Sequence, residues 1–394
     1  MKTIFKKHKK LLFKSFLYLL IFHFLDFCLT KTFELPALQV FSIQNLVSSD
    51  FSYNDLFYRA QNKSGFKDFK RKHKEEIVLI NTASLDGEDF RLGLVYLVDS
   101  LQKCQPKAIG IDFTFTNDTS KAGTSELLEM SSKYSNMVFA VDRKPNLLKF
   151  PKNVVLGNVE LPTEQFSIRY YNSNNESFAG KLYAKSRNKN PTIPISNSGS
   201  FPIFYSCIHN GITDYNDKMN RDYEVNFKSI DAAKLIEDPS QYSSAIKNNI
   251  IIVGHLGRNE FDSEDCFPVP TDTNDVVNRS PVMHGPVIHA NALSNMLDNQ
   301  FFSVPNSFLS IILTNLIMFV LIFFIIQHPM KIYLIGGLVL ISLFWIWFSL
   351  YLMEFKIYIQ VGTTLIGLLI LEEFIEVFDP FVGRIIEKIK KRKK

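Results

Sequence analysis

The sequence predicts an α/β fold, a parallel-rich sheet flanked by helices in an extracytoplasmic domain, joined to a four-helix transmembrane anchor with one N-terminal and three C-terminal spans. Three observations carry this reading. Four long apolar segments lie at the ends of the 394-residue chain, and a stretch of about 20 apolar residues is enough to cross the hydrocarbon core of a bilayer. The polar block between them holds short, continuously apolar, β-branched runs separated by a stretch of helical period. Both ends of the chain are strongly basic.

The first span is expected over 11–30, after a basic cytoplasmic N-terminus at 1–10. Lys14 lies near its start, where a long stem lets an ammonium snorkel to the headgroups. Asp26 lies near its far end and reads as an interface residue, or as a functional group at depth. A cleaved signal peptide is the rival reading, but Phe27-Cys28-Leu29-Thr30-Lys31 offers no small-residue cleavage site. The other spans are expected over 307–327, 332–353 and 357–378, joined by His328-Pro329-Met330-Lys331 and Glu354-Phe355-Lys356. Such short links make antiparallel neighbours. Trp345, Trp347 and Tyr351 are residues that favour a membrane interface. Glu372, Glu373 and Glu376 close the last span, exposed at the membrane surface as the expected reading, or paired with Lys or Arg of the tail at 379–394 or with a partner helix.

Orientation follows from Lys and Arg near the span ends. Lys2, Lys6, Lys7, Lys9 and Lys10 precede the first span, and Arg384, Lys388, Lys390, Lys391, Arg392, Lys393 and Lys394 follow the last. Four spans put both termini on one face, expected to be cytoplasmic, with the block 31–306 outside a bacterial inner membrane. The net charge of +5 comes mostly from these tails, which points to the lipid bilayer as a partner and away from nucleic acid. Of the four cysteines, Cys104, Cys207 and Cys266 lie in the block. One disulfide among the three is open, with no spacing that names the pair. No CxxC or His/Cys cluster suggests a metal, and no cofactor is expected.

Within the block, the segment from Lys31 to about Lys72 reads as one or two helices that package the start of the domain. Ile77-Val78-Leu79-Ile80 is a buried strand, Gly87 to Gln105 is helical with Phe90, Leu94, Leu97 and Leu101 on one face, and Ala108-Ile109-Gly110-Ile111-Asp112-Phe113 is a second strand. Strand, helix and strand at this spacing make a βαβ unit and a parallel sheet. A helix over Ser125–Tyr134 and a strand over Met137–Val141 follow. The stretch from Arg143 to Asp222 reads as hairpins or an excursion. Beyond it come a strand at Tyr223–Phe227, loop and helix over Ala232–Ile246, a buried strand at Ile250–Gly254, and a helix over Val287–Leu297.

Three pieces of this layout resemble the CHASE2 domain, an extracytoplasmic sensory module of bacterial membrane proteins. One is Ile77–Ile80 with Ser84-Leu85-Asp86 after it and the strand that leads to Asp112-Phe113-Thr114-Phe115. Another is Lys247-Asn248-Asn249-Ile250-Ile251-Ile252-Val253-Gly254. The most specific is Met283-His284-Gly285-Pro286-Val287-Ile288-His289-Ala290-Asn291-Ala292. The resemblance covers roughly residues 11 to 378 and includes the span arrangement. It departs at Asp86–Arg91, where many members carry a Trp-Pro-rich stretch, and at Phe267-Pro268-Val269-Pro270-Thr271, where the Thr-Pro segment is displaced. The resemblance implies a sensory role. Most members continue into a cyclase or kinase, and only about 16 residues follow the last expected span, too few for such a domain, so a separate partner protein is expected to carry the output.

Four residues are candidates for a ligand site. Asp112 ends a buried parallel strand, where ligands of α/β sheets gather; its other reading is a cap or turn bond near Asn117-Asp118-Thr119. Gly254 permits either a close backbone approach or a turn with positive φ, the turn being the expected reading. His289 and Asn291 open the helix of the family motif. An anion contact is open for His289, with a structural bond to a neighbouring loop as the expected role. Asp262, Glu264 and Asp265 share a loop without a spacing that suggests a mechanism, and no nucleophile motif, P-loop or GxGxxG follows a strand. The chain is therefore expected not to be an enzyme. Two functions remain: a sensory or ligand-binding module acting through a partner, with its ligand unknown and a homodimer open, or a structural subunit docking in an envelope complex.

Overall fold

The computed structural model describes residues 11–21, 57–58, 73–85, 87, 89–118, 120–143, 146–162, 167–193, 199–207, 211–219, 226–258, 262, 264–270, 282–303, 315–316, 319–320, 322–323, 326, 331–358, 375 and 377–386. The chain divides into two compact units, Asp55–Ser303 and a second formed by Met1–Asn54 with Val304–Lys394.

The first unit is a parallel sheet between helices. Its strands are β1 (Ile77–Asn81), β2 (Ala108–Ile111), β3 (Met137–Val141), β4 (Val155–Asn158), β7 (Ile212–Asp214), β8 (Phe227–Asp231) and β9 (Ile250–Gly254), in the order β4-β3-β2-β9-β1-β8-β7. Every pairing among these seven is parallel. Two antiparallel pairs stand apart: β5 (Tyr170–Asn172) with β6 (Ser200–Pro202), and β10 (Cys266–Pro268) with β11 (Val282–His284). The central strand is β9, whose five residues are all buried. It slots between β1 and β2 in register, Ile80 and Ile111 both facing Val253. A strand buried on both faces reads as an unbroken apolar run, which is why Ile250–Val253 was legible.

One face of the sheet is covered by α1 (Phe90–Lys103), α2 (Thr124–Lys133), α4 (Ala232–Glu237) and α5 (Pro239–Ile246). Leu94, Leu97, Val98 and Leu101 of α1 pack there with Val78, Ile80, Ile109, Ile111, Ile251 and Val253. On the other face lie α3 (Phe178–Arg187) and α6 (Gly285–Leu297). Ser177 caps α3 by accepting from the Gly180 N–H at 3.3 Å, and Asn188, at φ 53°, ends it in the left-handed region. Helix α6 is buried from Gly285 to Met296, as expected of a helix covered on all sides. Its second residue is Pro286, which fits a first turn because its missing N–H is an orphan there anyway.

Gly110 of β2 lets α3 approach: a Cβ there would lie 2.7 Å from Leu182 Cδ1 and from Phe178 Cζ. Both atoms are ends of flexible side chains, so Gly110→Ala is expected to destabilise the fold by about 1 kcal/mol, read as a lower urea midpoint with an unchanged m-value.

Several expectations need correction. The strand expected at Tyr223–Phe227 begins instead at Phe227 and runs to Asp231; residues 221–225 lie outside the described residues. The stretch from Arg143 to Asp222 contributes β4 and β7 to the main sheet and contains α3. Cys104, Cys207 and Cys266 are free thiols, and Cys28 lies outside the described residues.

The transmembrane anchor is corrected most. Among the described residues no helix is long and apolar enough to cross a membrane. This overturns the four-helix anchor and the multi-pass placement in an inner membrane with the block outside it. In the first expected span residues 11–21 are helical, and residues 22–30 lie outside the described residues. In the helix Lys331–Glu354 side chains are described only at Leu340 and over 343–354. Lys14, expected at lipid headgroups, pairs with Asp379: Nζ and Oδ1 are 2.5 Å apart. The Tyr18 hydroxyl donates to the same oxygen at 2.5 Å, and its ring is buried with Ile322, Trp345, Val382 and Ile386. Asp26, Glu372, Glu373 and Glu376 lie outside the described residues.

Candidate functional site

The order of the sheet places a switch of direction at its middle. From β1 the chain steps past the β9 position to β2, β3 and β4, and the later strands β7 and β8 fill the other side. Ligands of open parallel sheets favour the crevice at the carboxyl ends of strands at such a point. Here that edge is built from the residues after β2 and β9 and from the first turns of α6.

Asp112 follows β2 directly. Its backbone N–H donates to Val253 O at 2.8 Å, continuing the ladder one step beyond the strand. Its side chain is 8% exposed and approaches His289 Nε2 at 3.7 Å, too far for a hydrogen bond. The Oδ2 atom is buried with no hydrogen-bond partner. Burial first, and the charge of Asp265 second, push its carboxyl well above the usual carboxylate range. Removal from water penalises the charged form of His289 equally, pushing its imidazole down to about 3. The approach is therefore between two neutral groups, and not an ion pair.

Tyr171 fixes the imidazole. The Ala179 N–H donates to the Tyr171 hydroxyl at 3.1 Å, and that hydroxyl lies 2.7 Å from His289 Nδ1. In the neutral tautomer with Nδ1 unprotonated, the phenol O–H donates a hydrogen bond to Nδ1. The remaining ring proton then sits on Nε2, facing Asp112. The rings of Tyr171 and Phe178 meet the imidazole edge-on, with centroids at 5.5 and 5.2 Å.

Gly254 closes the same corner, and for a reason other than the expected turn. Its φ is not in the left-handed region, which Gly257 occupies at 82°. A Cβ on Gly254 would lie 2.3 Å from Pro286 Cγ and 3.5 Å from Asp112 Cβ. The glycine lets the first turn of α6 press onto the end of β9. Asn291 faces elsewhere. Its amide donates to Val287 O at 2.9 Å and to Cys207 Sγ at 3.3 Å, while its oxygen accepts from the Ser206 N–H at 3.4 Å. It ties α6 to the segment after β6, and none of these bonds reaches Asp112 or His289. Thus Asp112, Gly254 and His289 come together, and Asn291 does not join them.

The hairpin β10–β11 and the loop after β9 add groups that the sequence did not single out as a site. Asp265, at φ 55°, accepts the Gly285 N–H on its backbone oxygen at 3.0 Å. Burial is the main cause that pushes its carboxyl up to about 6. Cys266 Sγ lies 3.3 Å from His284 Nδ1, but burial pushes the thiol up to about 11, so the pair does not make a thiolate nucleophile. His255, Asp262 and Glu264 each offer one donor atom within 4.8 Å of the others, a set able to hold a metal. Asn81 holds the loop that carries His255: its oxygen accepts from Leu256 N–H at 3.0 Å and its amide donates to Gly257 O at 2.8 Å. The signal in the sequence is the polar residue that ends β1 and the spacing of one histidine and two acids within ten positions.

No curated protein and no solved structure matches this chain. A family model of the CHASE2 domain does match it, over residues 35–327, a range that holds the whole seven-stranded sheet and the site on its edge. The chain belongs to the CHASE2 family of sensory domains.

Proposed function

We propose that the chain is a non-enzymatic sensory module whose ligand engages the carboxyl edge of the sheet, beside Asp112 and His289, and whose response passes along α6 to a separate partner protein. The observation that carries this reading is the buried Asp112 Oδ2, left without a partner and 3.7 Å from the imidazole. A buried polar atom without a bond destabilises the arrangement by about 1–3 kcal/mol. Such a site favours any second arrangement in which the bond is made. A shift of the first turn of α6 by less than about 1 Å closes the gap to hydrogen-bond length, and a ligand that binds one arrangement better moves the population toward it. Helix α6 suits transmission, because it starts at the site and the chain leaves this unit at Ser303. Both facing groups are neutral and supply hydrogen bonds, which suits a polar, uncharged portion of a small molecule.

The test is thermal unfolding of the full-length chain against a panel of small polar metabolites. A cognate ligand at a hundredfold excess over its Kd is expected to raise Tm by about 5 °C. It is also expected to change amide exchange over 285–297, and both effects are expected to fall at least tenfold in potency in His289→Gln. A panel that leaves Tm and exchange unmoved counts against the reading.

A further inference from the structure

His255 follows β9 directly, and the loop after it brings Asp262 and Glu264 back to the imidazole. His255 Nε2 is 3.2 Å from Asp262 Oδ2 and 3.9 Å from Glu264 Oε2. A tetrahedral cation with bonds of about 2.1 Å has donor–donor edges of about 3.4 Å. The two separations bracket that edge, and all three donor atoms lie within 4.8 Å of one another. We propose that His255, Asp262 and Glu264 form a binding site for a divalent transition cation of the zinc class.

The donor set selects the class. One imidazole nitrogen with two carboxylates suits zinc and its first-row neighbours, whereas magnesium and calcium prefer oxygen alone. The donors are already oriented. The Asn81 side chain clamps the backbone at Leu256 and Gly257, just after His255. The backbone N–H groups of Arg258 and Glu264 donate to the two oxygens of Asp262 at 3.0 and 3.1 Å. Outer contacts of this kind hold metal ligands in place. The Glu264 side chain is 78% exposed, which leaves an entry path and room for water in a fourth position.

This inference does not depend on the proposed small-molecule ligand.

Titration of the metal-free full-length chain with Co2+, followed by visible absorption, tests it. The expected result is saturation at one equivalent, d–d absorption without a sulfur charge-transfer band, and displacement by Zn2+. Glu264→Gln, an exposed change that leaves the core intact, is expected to weaken binding at least tenfold, and His255→Gln further. Asp112→Asn is expected to leave the affinity within twofold. Absence of saturable binding, or an affinity unchanged in Glu264→Gln and His255→Gln, would overturn the site. A sulfur charge-transfer band would overturn the ligand set by placing Cys266 on the metal.

Discussion

Asp112→Asn is expected to stabilise the protein at neutral pH by about 2 kcal/mol, the upper range for a single stabilising change. The folded chain holds Asp112 protonated because burial and Asp265 raise its pKa, whereas the unfolded chain ionises it above a pKa of about 3.9. A carboxyl with a raised folded pKa contributes stability that is fully present below the unfolded value and lost as pH rises toward the folded one. Asparagine keeps the shape and needs no proton, so the gain over the wild type grows as pH rises above about 4. His289 has the opposite sign. Its folded pKa is depressed to about 3, so its contribution is present above about 6.5 and lost as pH falls toward 3.

In the wild type these two slopes cancel between about pH 4 and 6.5, because the folded pair binds its one proton on Asp112 and the unfolded pair binds one on histidine. Asp112→Asn uncovers the histidine slope, a swing of roughly 3 kcal/mol across that window. The Tyr171 hydroxyl stays protonated throughout, its pKa raised by burial. Asp265, pushed up to about 6 mainly by burial, titrates within the same window. Urea unfolding from pH 4 to 7.5 measures both curves. Parallel curves for wild type and variant would mean that Asp112 is ionised in the fold. The stabilised variant is also expected to lose ligand response, since the strained corner is what a ligand relieves.

How much of this was legible depended on distance along the chain. Residues such as Ile77–Ile80 and Ile250–Val253 announce central strands by composition, and Asp112 and Gly254 could be flagged as the positions just past them. His289 carried a motif. Helix α3 escaped because its apolar positions, Phe178, Ala179, Leu182 and Tyr183, sit in an Asn- and Ser-rich setting that reads as loop. Strand β8 slipped by several positions because Lys228 and Ser229 interrupt its apolar run. The partners that define the site were illegible for a physical reason. Tyr171 meets His289 across 118 positions, and Asn81 meets Leu256 across 175. Only the sheet brings them together, and no local period encodes such a meeting.

Gly254→Ala is expected to have the largest destabilising effect among changes at the site, about 3 kcal/mol. The added methyl would lie 2.3 Å from Pro286 Cγ and 3.1 Å from Pro286 Cβ, well inside van der Waals contact. At Gly110 the obstructing atoms are free chain ends that can rotate away. Here they belong to a proline ring whose φ is fixed and which starts a fully buried helix, so relief requires α6 to move as a body. Because α6 also carries His289, the displacement separates the imidazole further from Asp112 and strains its 2.7 Å contact with Tyr171. The variant therefore joins two readouts that an ordinary cavity or overpacking change keeps apart. The urea midpoint falls, and amide exchange of the first turn of α6 rises beyond what the global loss of stability accounts for. A Gly254→Ala protein with wild-type stability and unchanged exchange over 285–297 would show that α6 is free to yield at this corner. The close packing between the end of β9 and Pro286 would then not be what holds His289 opposite Asp112.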